Sequence, residues 1–310
     1  MGGGSMAKRR ILLVVHPRSD IALQATQTTC RLLRDAGVEP VFTADGWQHL
    51  SDAGFAPGVC QILGRDCSLD GLEVVMVLGG DGTILQAAEI VRPSTVPILG
   101  VNLGHVGFLA EAERDDLVST VDRVVSGQYE VEERLALEIE ISAAGRIIAH
   151  DWALNDATVE KARGDKMINI VCAIGGTPLS SYACDGIVLS TPTGSTAYNF
   201  SAGGPVVWPT VEALLCVPLN AHALFAKPMV IDPASEIAIQ VSEESDGADV
   251  WCDGRRMTHI PSGARVVGRR SRRPVRLARL NQATFVSRLV HKFDLPTSGW
   301  RDAREPRHHA

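Results

Sequence analysis

The chain has 310 residues, 45% of them apolar and 21% charged, and a net charge of −6. Single cores seldom grow past roughly 250–300 residues, so this length predicts two domains. The acidic balance excludes a general nucleic-acid binder, which needs a basic surface. Cysteines at 30, 60, 67, 172, 184, 216 and 252 are odd in number and lack CxxC or zinc-site spacing. They read as reduced thiols in a cytoplasmic protein. No apolar run reaches the eighteen or so residues of a membrane span and no signal peptide precedes the first strand, so no membrane partner is expected.

Met1-Gly2-Gly3-Gly4-Ser5 reads as an appended leader, with the native start at Met6. Ile11–Val15 is a continuous apolar run, the pattern of a strand buried on both faces. Ile21–Ala36 has helical character and stops at Gly37, a suitable C-cap. Val38–Phe42, Leu72–Leu78 and Val96–Val101 predict further strands, and Thr83–Val91 and Arg114–Ser126 further helices. Strands alternating with helices predict a parallel sheet with crossover helices, with ligands outside the carboxyl ends of the strands.

From Tyr129 the period becomes two: Leu135, Leu137, Ile139 and Ile141 alternate with Ala136, Glu138, Glu140 and Ser142. Met167–Ile174, Gly186–Leu189, Ile237–Val241 and Val250–Cys252 continue as short strands between turn signals. The predicted fold is an α/β N-terminal domain over residues 7–133 and a β-rich, layered-sheet domain over 134–280. A C-terminal segment, 281–301, containing the helical stretch Ala283–Leu289, is expected to pack back on the first domain.

Gly79-Gly80-Asp81-Gly82-Thr83 follows one predicted strand and opens a helix. Backbone N–H groups and the helix dipole favour an anion there, and glycines allow close approach and positive φ. A carboxylate in such a turn repels phosphate unless it has a chemical task. General base for a hydroxyl nucleophile, or holder of a magnesium ion, are two such tasks. Asp is also a favoured N-cap. Three glycines around one Asp, between strand and helix, tilt the reading to phosphate chemistry.

Asp185-Gly186 precedes Ile187–Leu189, and then comes Ser190-Thr191-Pro192-Thr193-Gly194-Ser195-Thr196-Ala197-Tyr198. Its hydroxyls suit phosphate or ribose without a buried charge, and equally suit a surface Ser/Thr turn. Ser201-Ala202-Gly203-Gly204-Pro205 follows, a second small-residue turn that tilts the balance to a binding surface.

The glycine turn, Asp185-Gly186, Thr191–Tyr198 and Ser201–Pro205 together resemble the signature set of bacterial NAD kinases, and Asn155-Asp156 matches that family's Asn-Glu pair. The resemblance runs from about Ile11 to Trp300. It implies phosphoryl transfer from ATP, or inorganic polyphosphate, to the 2′-hydroxyl of the adenosine ribose of NAD, giving NADP. It implies Asp81 as the base that takes the hydroxyl proton, with Gly79, Gly80, Gly82 and Thr83 shaping the phosphate turn. Dinucleotide-contacting positions map to Asp81-Gly82, Asn155, Asp156, Lys166, Asp185, Thr193, Thr196, Ala197, Tyr198 and Ser201. Tyr198 suits base stacking and a core aromatic role about equally. Magnesium or another divalent cation is implied, with ligands not readable, as is a homo-oligomer, dimer or tetramer. Three departures stand out: Asp156 in place of Glu, Gln86 where a basic residue is frequent, and Ala183 where some relatives have one.

No Walker A Gly-Lys-Ser/Thr or Gly-x-Gly-x-x-Gly fingerprint is present. A lipid or sphingoid kinase of the same superfamily would need a membrane-directed amphipathic basic helix, and none is evident. A non-catalytic NAD(P) sensor has little use for Asp81. Arg269, Arg270, Arg272, Arg273, Arg276 and Arg279 form the one dense basic run, expected as a solvated strand face rather than a nucleic-acid groove. Asp249, Asp253, Glu243 and Glu244 are possible partners for it, and His308 and His309 belong to a polar tail.

Overall fold

The computed structural model describes residues 8–16, 20–55, 58–104, 107–162, 166–280 and 283–297. The leader, Met6, His308, His309 and Trp300 lie outside the described residues. The chain divides into two units, one of residues 1–132 with 276–310 and one of 133–275.

The first unit alternates β1 (Arg10–Val15), α1 (Asp20–Asp35), β2 (Glu39–Phe42), α2 (Ala44–Asp52), β3 (Gln61–Ile62), β4 (Val74–Leu78), α3 (Asp81–Val91) and β5 (Ile98–Asn102). It continues through β6 (Ala112–Glu113), α4 (Leu117–Val125) and β7 (Glu130–Arg134). Strands β1, β2, β3, β4, β5 and β6 pair in parallel. The sheet order begins β3-β2-β1-β4-β5, so it reverses direction of growth between β1 and β4. That reversal opens a crevice at the carboxyl ends, where open α/β sheets bind ligands. β4 and β5 are buried at every residue, which explains their uninterrupted apolar sequence.

Helix α1 buries the stripe Ala22, Ala25, Thr26, Thr29, Cys30 and Leu33. Its two buried hydroxyls donate to carbonyls one turn back, Thr26 to Ala22 at 2.6 Å and Thr29 to Ala25 at 2.8 Å. Gly37 at φ +75° ends the helix, a conformation that a side chain would resist. Two expectations shift here. Helix α2 has no counterpart in the sequence reading; it starts where Thr43 Oγ1 accepts from the Gly46 amide. Helix α3 starts at Asp81 rather than Thr83, with Gly80 as its cap residue.

The second unit contains β8 (Leu137–Ala143), β9 (Arg146–Ala153), β10 (Asp156–Lys161), β11 (Ile168–Ile174), β12 (Thr177–Cys184), β13 (Gly186–Ser190) and a short α5 (Tyr198–Ser201). It ends with β14 (Leu214–Leu219), β15 (Met229–Ile231), β16 (Ile237–Val241), β17 (Ala248–Cys252), β18 (Arg256–Ile260) and β19 (Arg265–Arg270). Two six-stranded sheets result, ordered β15-β14-β13-β10-β17-β18 and β12-β11-β16-β19-β8-β9. One apolar cluster draws Leu137, Ile139 and Ile141 from the second sheet and Val159, Ile187 and Leu189 from the first. The alternation seen in sequence is the inward face of β8; Glu138 and Glu140 point outward and share Arg269 at 2.9 and 3.1 Å. The period begins at Leu137, since Ala136 is itself buried.

The expected limit at residue 280 moves to 275. Strand β20 (Val275–Arg279) joins the first unit's sheet between β5 and β7, with Leu277 opposite Ile98, and α6 (Phe285–Phe293) follows it. The basic run divides: Arg270, paired with Glu212 at 2.5 Å, Arg272 and Arg273 are exposed, whereas Arg279 is nearly buried between Glu111 and Glu132. The suggested acidic partners lie elsewhere, Asp249 on His259 and Asp253 beside Arg256. Among the described residues no helix is long and apolar enough to cross a membrane.

Candidate active site

The glycine turn lies at the carboxyl end of β4, beside the sheet's point of reversal. Its five residues divide by function. Gly79 is buried, and an added Cβ would strike the Thr83 side chain; Thr83 is buried too, so this pair packs the turn against the fold. Gly80 and Gly82 have open space where a Cβ would be, and neither has the expected positive φ. Among the described residues no atom stands near either Cβ position, so packing there does not demand glycine, whereas a ligand lying against the backbone would. The first amides of a helix have no acceptors within it, and such a terminus suits an anion.

Asp81 is not the helix cap. Gly80 holds that position without a side-chain bond, and the Asp81 carboxylate turns to a loop far along the chain. Its Oδ2 accepts from the Phe108 amide at 2.9 Å and its Oδ1 from the Leu109 amide at 3.1 Å. A Cβ on Gly107 would overlap that carboxylate, which gives this glycine a steric reason. Each oxygen keeps a second lone pair, so the carboxylate is oriented and still able to accept a proton or hydrogen bond.

In the second unit a cavity of about 370 Å³ is lined by Asn155, Asp156, Thr158, Glu160, Ala197, Tyr198, Trp251, Asp253 and Gly254. Asp156 Oδ2 and Thr158 Oγ1 are buried without a protein hydrogen-bond partner. Buried polar atoms are seldom left so, and both belong to residues that line this cavity. Burial, and then the charge of Asp253, push the Asp156 carboxyl up to about 7. Burial likewise raises Asp253, although the Leu154 and Asn155 amides donate to it at 3.0 and 2.7 Å. Three acids and no cation line the cavity, a composition suited to amino and hydroxyl groups rather than phosphate.

Asp253, Trp251, Glu160 and Thr158 are lining residues that sequence reasoning missed. The available signal was the Asp253-Gly254 turn directly after a predicted strand, with Asp253 at φ +54°. Non-glycine residues take that conformation rarely, and Asp is among the few that tolerate it.

Three hydroxyls of the Ser/Thr loop are turned to the main chain. Thr191 donates to Leu154 O at 2.6 Å, Ser190 to Asn155 O at 3.0 Å, and Ser195 to Val207 O at 3.0 Å. Thr193 Oγ1 accepts from buried Arg134 at 3.3 Å. These side chains build the floor under Asn155, and a Cβ on Gly194 would collide with the Asn155 carbonyl. Of the expected contact positions, Asn155, Asp156, Ala197 and Tyr198 come together at the cavity. Thr196 lies beside them in the chain, half-buried, and Ser201 is exposed on α5. Lys166 is exposed. Asp185 lies at the opposite end of β13 from Ser190, held by Lys161 at 2.8 Å and Asn220 at 2.8 Å, which keep its carboxyl below the usual range.

A doubly wound α/β unit with an anion-accepting glycine turn, and a β-sandwich unit with an acidic nucleoside-sized cavity, define a nucleotide-handling enzyme. The ATP-NAD kinase N-terminal domain matches residues 11–129, and the ATP-NAD kinase C-terminal domain matches residues 154–280. The chain is 53% identical to an NAD kinase of Leifsonia xyli subsp. xyli over 95% of its length and 97% of that protein. It is 52% identical to NAD kinase 2 of Streptomyces coelicolor, again over 95% of this chain and 97% of the relative. A yeast NADH kinase crystallised with NADH has the same fold, with TM-score 0.83 at 21% identity over 95% of this chain and 90% of that one. The chain belongs to the NAD kinase family, whose members are phosphotransferases with an alcohol acceptor.

Proposed function

We propose that this enzyme moves the terminal phosphoryl group of ATP, or of inorganic polyphosphate, to the 2′-hydroxyl of the adenosine ribose of NAD, with Asp81 as general base. The observation that carries this reading is the pair of amide bonds that fix the Asp81 carboxylate in an otherwise anion-binding turn. A base must be oriented before the nucleophile arrives, and hydrogen bonds from a rigid backbone do that. Gly80 and Gly82 leave main chain open for the donor's phosphates. The Asp156 and Thr158 atoms without protein partners would receive amino and hydroxyl groups of the nucleoside, and Tyr198 would stack on its base. Lys166, Asp185, Thr193, Thr196 and Ser201 are proposed as contacts on family resemblance; Thr193 and Asp185 already have protein partners.

Magnesium would neutralise charge on the transferring phosphates. Among the described residues no group of three or more His, Cys, Asp or Glu converges on a point. That fits an ion carried in on the triphosphate, as magnesium often is, with at most one or two carboxylates from the protein. The unbridged cysteines suit a reducing cytoplasm.

Purified protein given NAD, magnesium and either ATP or polyphosphate should make NADP, and the two donors tested separately decide between them. Asp81→Asn is expected to lose at least ~10²-fold in kcat while retaining NAD affinity. Near-full turnover of that variant would remove Asp81 as the base.

A further inference from the structure

We infer that Arg288, on the C-terminal helix α6, is a positioning residue for the phosphoryl-transfer step, acting through the Phe108–Ala110 loop that orients Asp81. This rests on the reading of Asp81 as the base. The two amides that hold the Asp81 carboxylate, those of Phe108 and Leu109, belong to a stretch outside any helix or strand. Nothing in regular secondary structure fixes the direction of those N–H bonds. The carbonyls of the same stretch are held by guanidinium groups. Arg288 Nη1 donates to Phe108 O at 3.2 Å and also to Ala110 O, and Arg279 Nη1 reaches Leu109 O at 3.4 Å.

Both arginines are in turn anchored on Glu111, whose side chain is only 2% exposed. Arg288 Nη2 lies 2.7 Å and Arg279 Nη1 2.8 Å from Glu111 Oε2, while the Leu280 amide donates to Oε1 at 3.1 Å. Glu132 closes the group on Arg279 at 2.6 Å, so two acids face two bases. The Phe108 ring sits 5.9 Å from Phe285 and 5.8 Å from Phe293, both on α6. Helix α6 therefore holds this loop by a planar five-donor fork and by two aromatic contacts. A peptide group is rigid, so pinning the Phe108 carbonyl aims the Leu109 N–H of the same peptide, the donor to Asp81 Oδ1. Arg288 thus sets where Asp81 Oδ1 stands, although its own hydrogen bonds go to the Phe108 and Ala110 carbonyls and to Glu111 rather than to Asp81.

Lysine at this position keeps the charge but cannot span two carbonyls and a carboxylate at once. Arg288→Lys is expected to lower kcat about 10- to 100-fold, the scale of a small misplacement of a reacting group, with KM for NAD within about threefold. In an Asp81→Asn background the same substitution should change kcat less than about twofold, because the group it positions is already disabled. If Arg288→Lys lowers the melting temperature too far to assay, Arg288→Ala with added guanidinium ion takes its place, and recovery of kcat on addition is the expected result. Three outcomes overturn the inference: kcat of Arg288→Lys within twofold of the parent, full additivity with Asp81→Asn, or no guanidinium recovery in a folded Arg288→Ala protein. Retained activity in Asp81→Asn alone would instead remove the base assignment, so the two failures are told apart.

Discussion

At the scale of single residues, the acidic cavity sets a pH dependence. The Asp156 carboxyl stands at about 7 when folded, pushed up first by burial and then by Asp253. An unfolded Asp titrates near ~3.9. Between those values the folded chain holds a proton that the unfolded chain releases, so this group makes stability fall as pH rises through that window. Asp156→Asn removes the ionisation. In unliganded protein it should gain on the order of 2–4 kcal/mol at about pH 8 and almost nothing near pH 4, read from urea midpoints at both values. An equal change at both would show that burial does not perturb this group. The glycines divide on the same physical ground. Gly79 and Gly194 are glycine because protein atoms fill their Cβ positions, whereas Gly80 and Gly82 face open space.

At the scale of elements, the unit that joins the chain's end to its catalytic turn is the buried group of Glu111, Arg279 and Arg288. With side chains 2%, 11% and 9% exposed, none of the three is well solvated. Removing one partner of such a group leaves charges stranded in a poor medium, which costs about 3–5 kcal/mol. Glu111→Gln should therefore destabilise the protein by that amount in denaturant unfolding, far more than Arg270→Gln, whose exposed pair with Glu212 is worth at most about 1 kcal/mol. Equal costs for the two would mean that Glu111 is solvated in solution. Sequence legibility follows the same division. Strands β1, β4 and β5 were visible because each is a run of apolar residues. The role of the arginine run was invisible because Glu111 lies 168 residues from Arg279, and nothing local marks the pairing.

At the scale of the whole molecule, the family resemblance implies a homo-oligomer. Trp208, Leu224, Phe225 and Val230, all in the second unit, expose large apolar surfaces that a lone chain gains nothing by leaving wet. Light scattering should give a molar mass at least twice the 33.2 kDa of one chain. A mass of one chain at micromolar concentration would end that proposal. The alternation of strands and helices followed by a period of two predicted both architectures, and the two units have them. The division near residue 133 was legible, but the second unit ends at 275 rather than 280 because β20 sits in sequence after the sandwich strands and hydrogen-bonds beside β5.

The order of apolar residues by itself determined the fold class, since a strand buried on both faces and one buried on a single face demand different periods. The compact motif Gly79–Thr83, with the loop from Asp185 to Pro205, determined the family, because each signal is complete within a short stretch of chain. Only the tertiary structure decided what orients Asp81, that the Ser190, Thr191 and Ser195 hydroxyls serve the backbone, and that Asp253 shares a cavity with Asp156. Each of those facts is a contact between distant segments, and sequence spacing carries no record of which distant atoms meet.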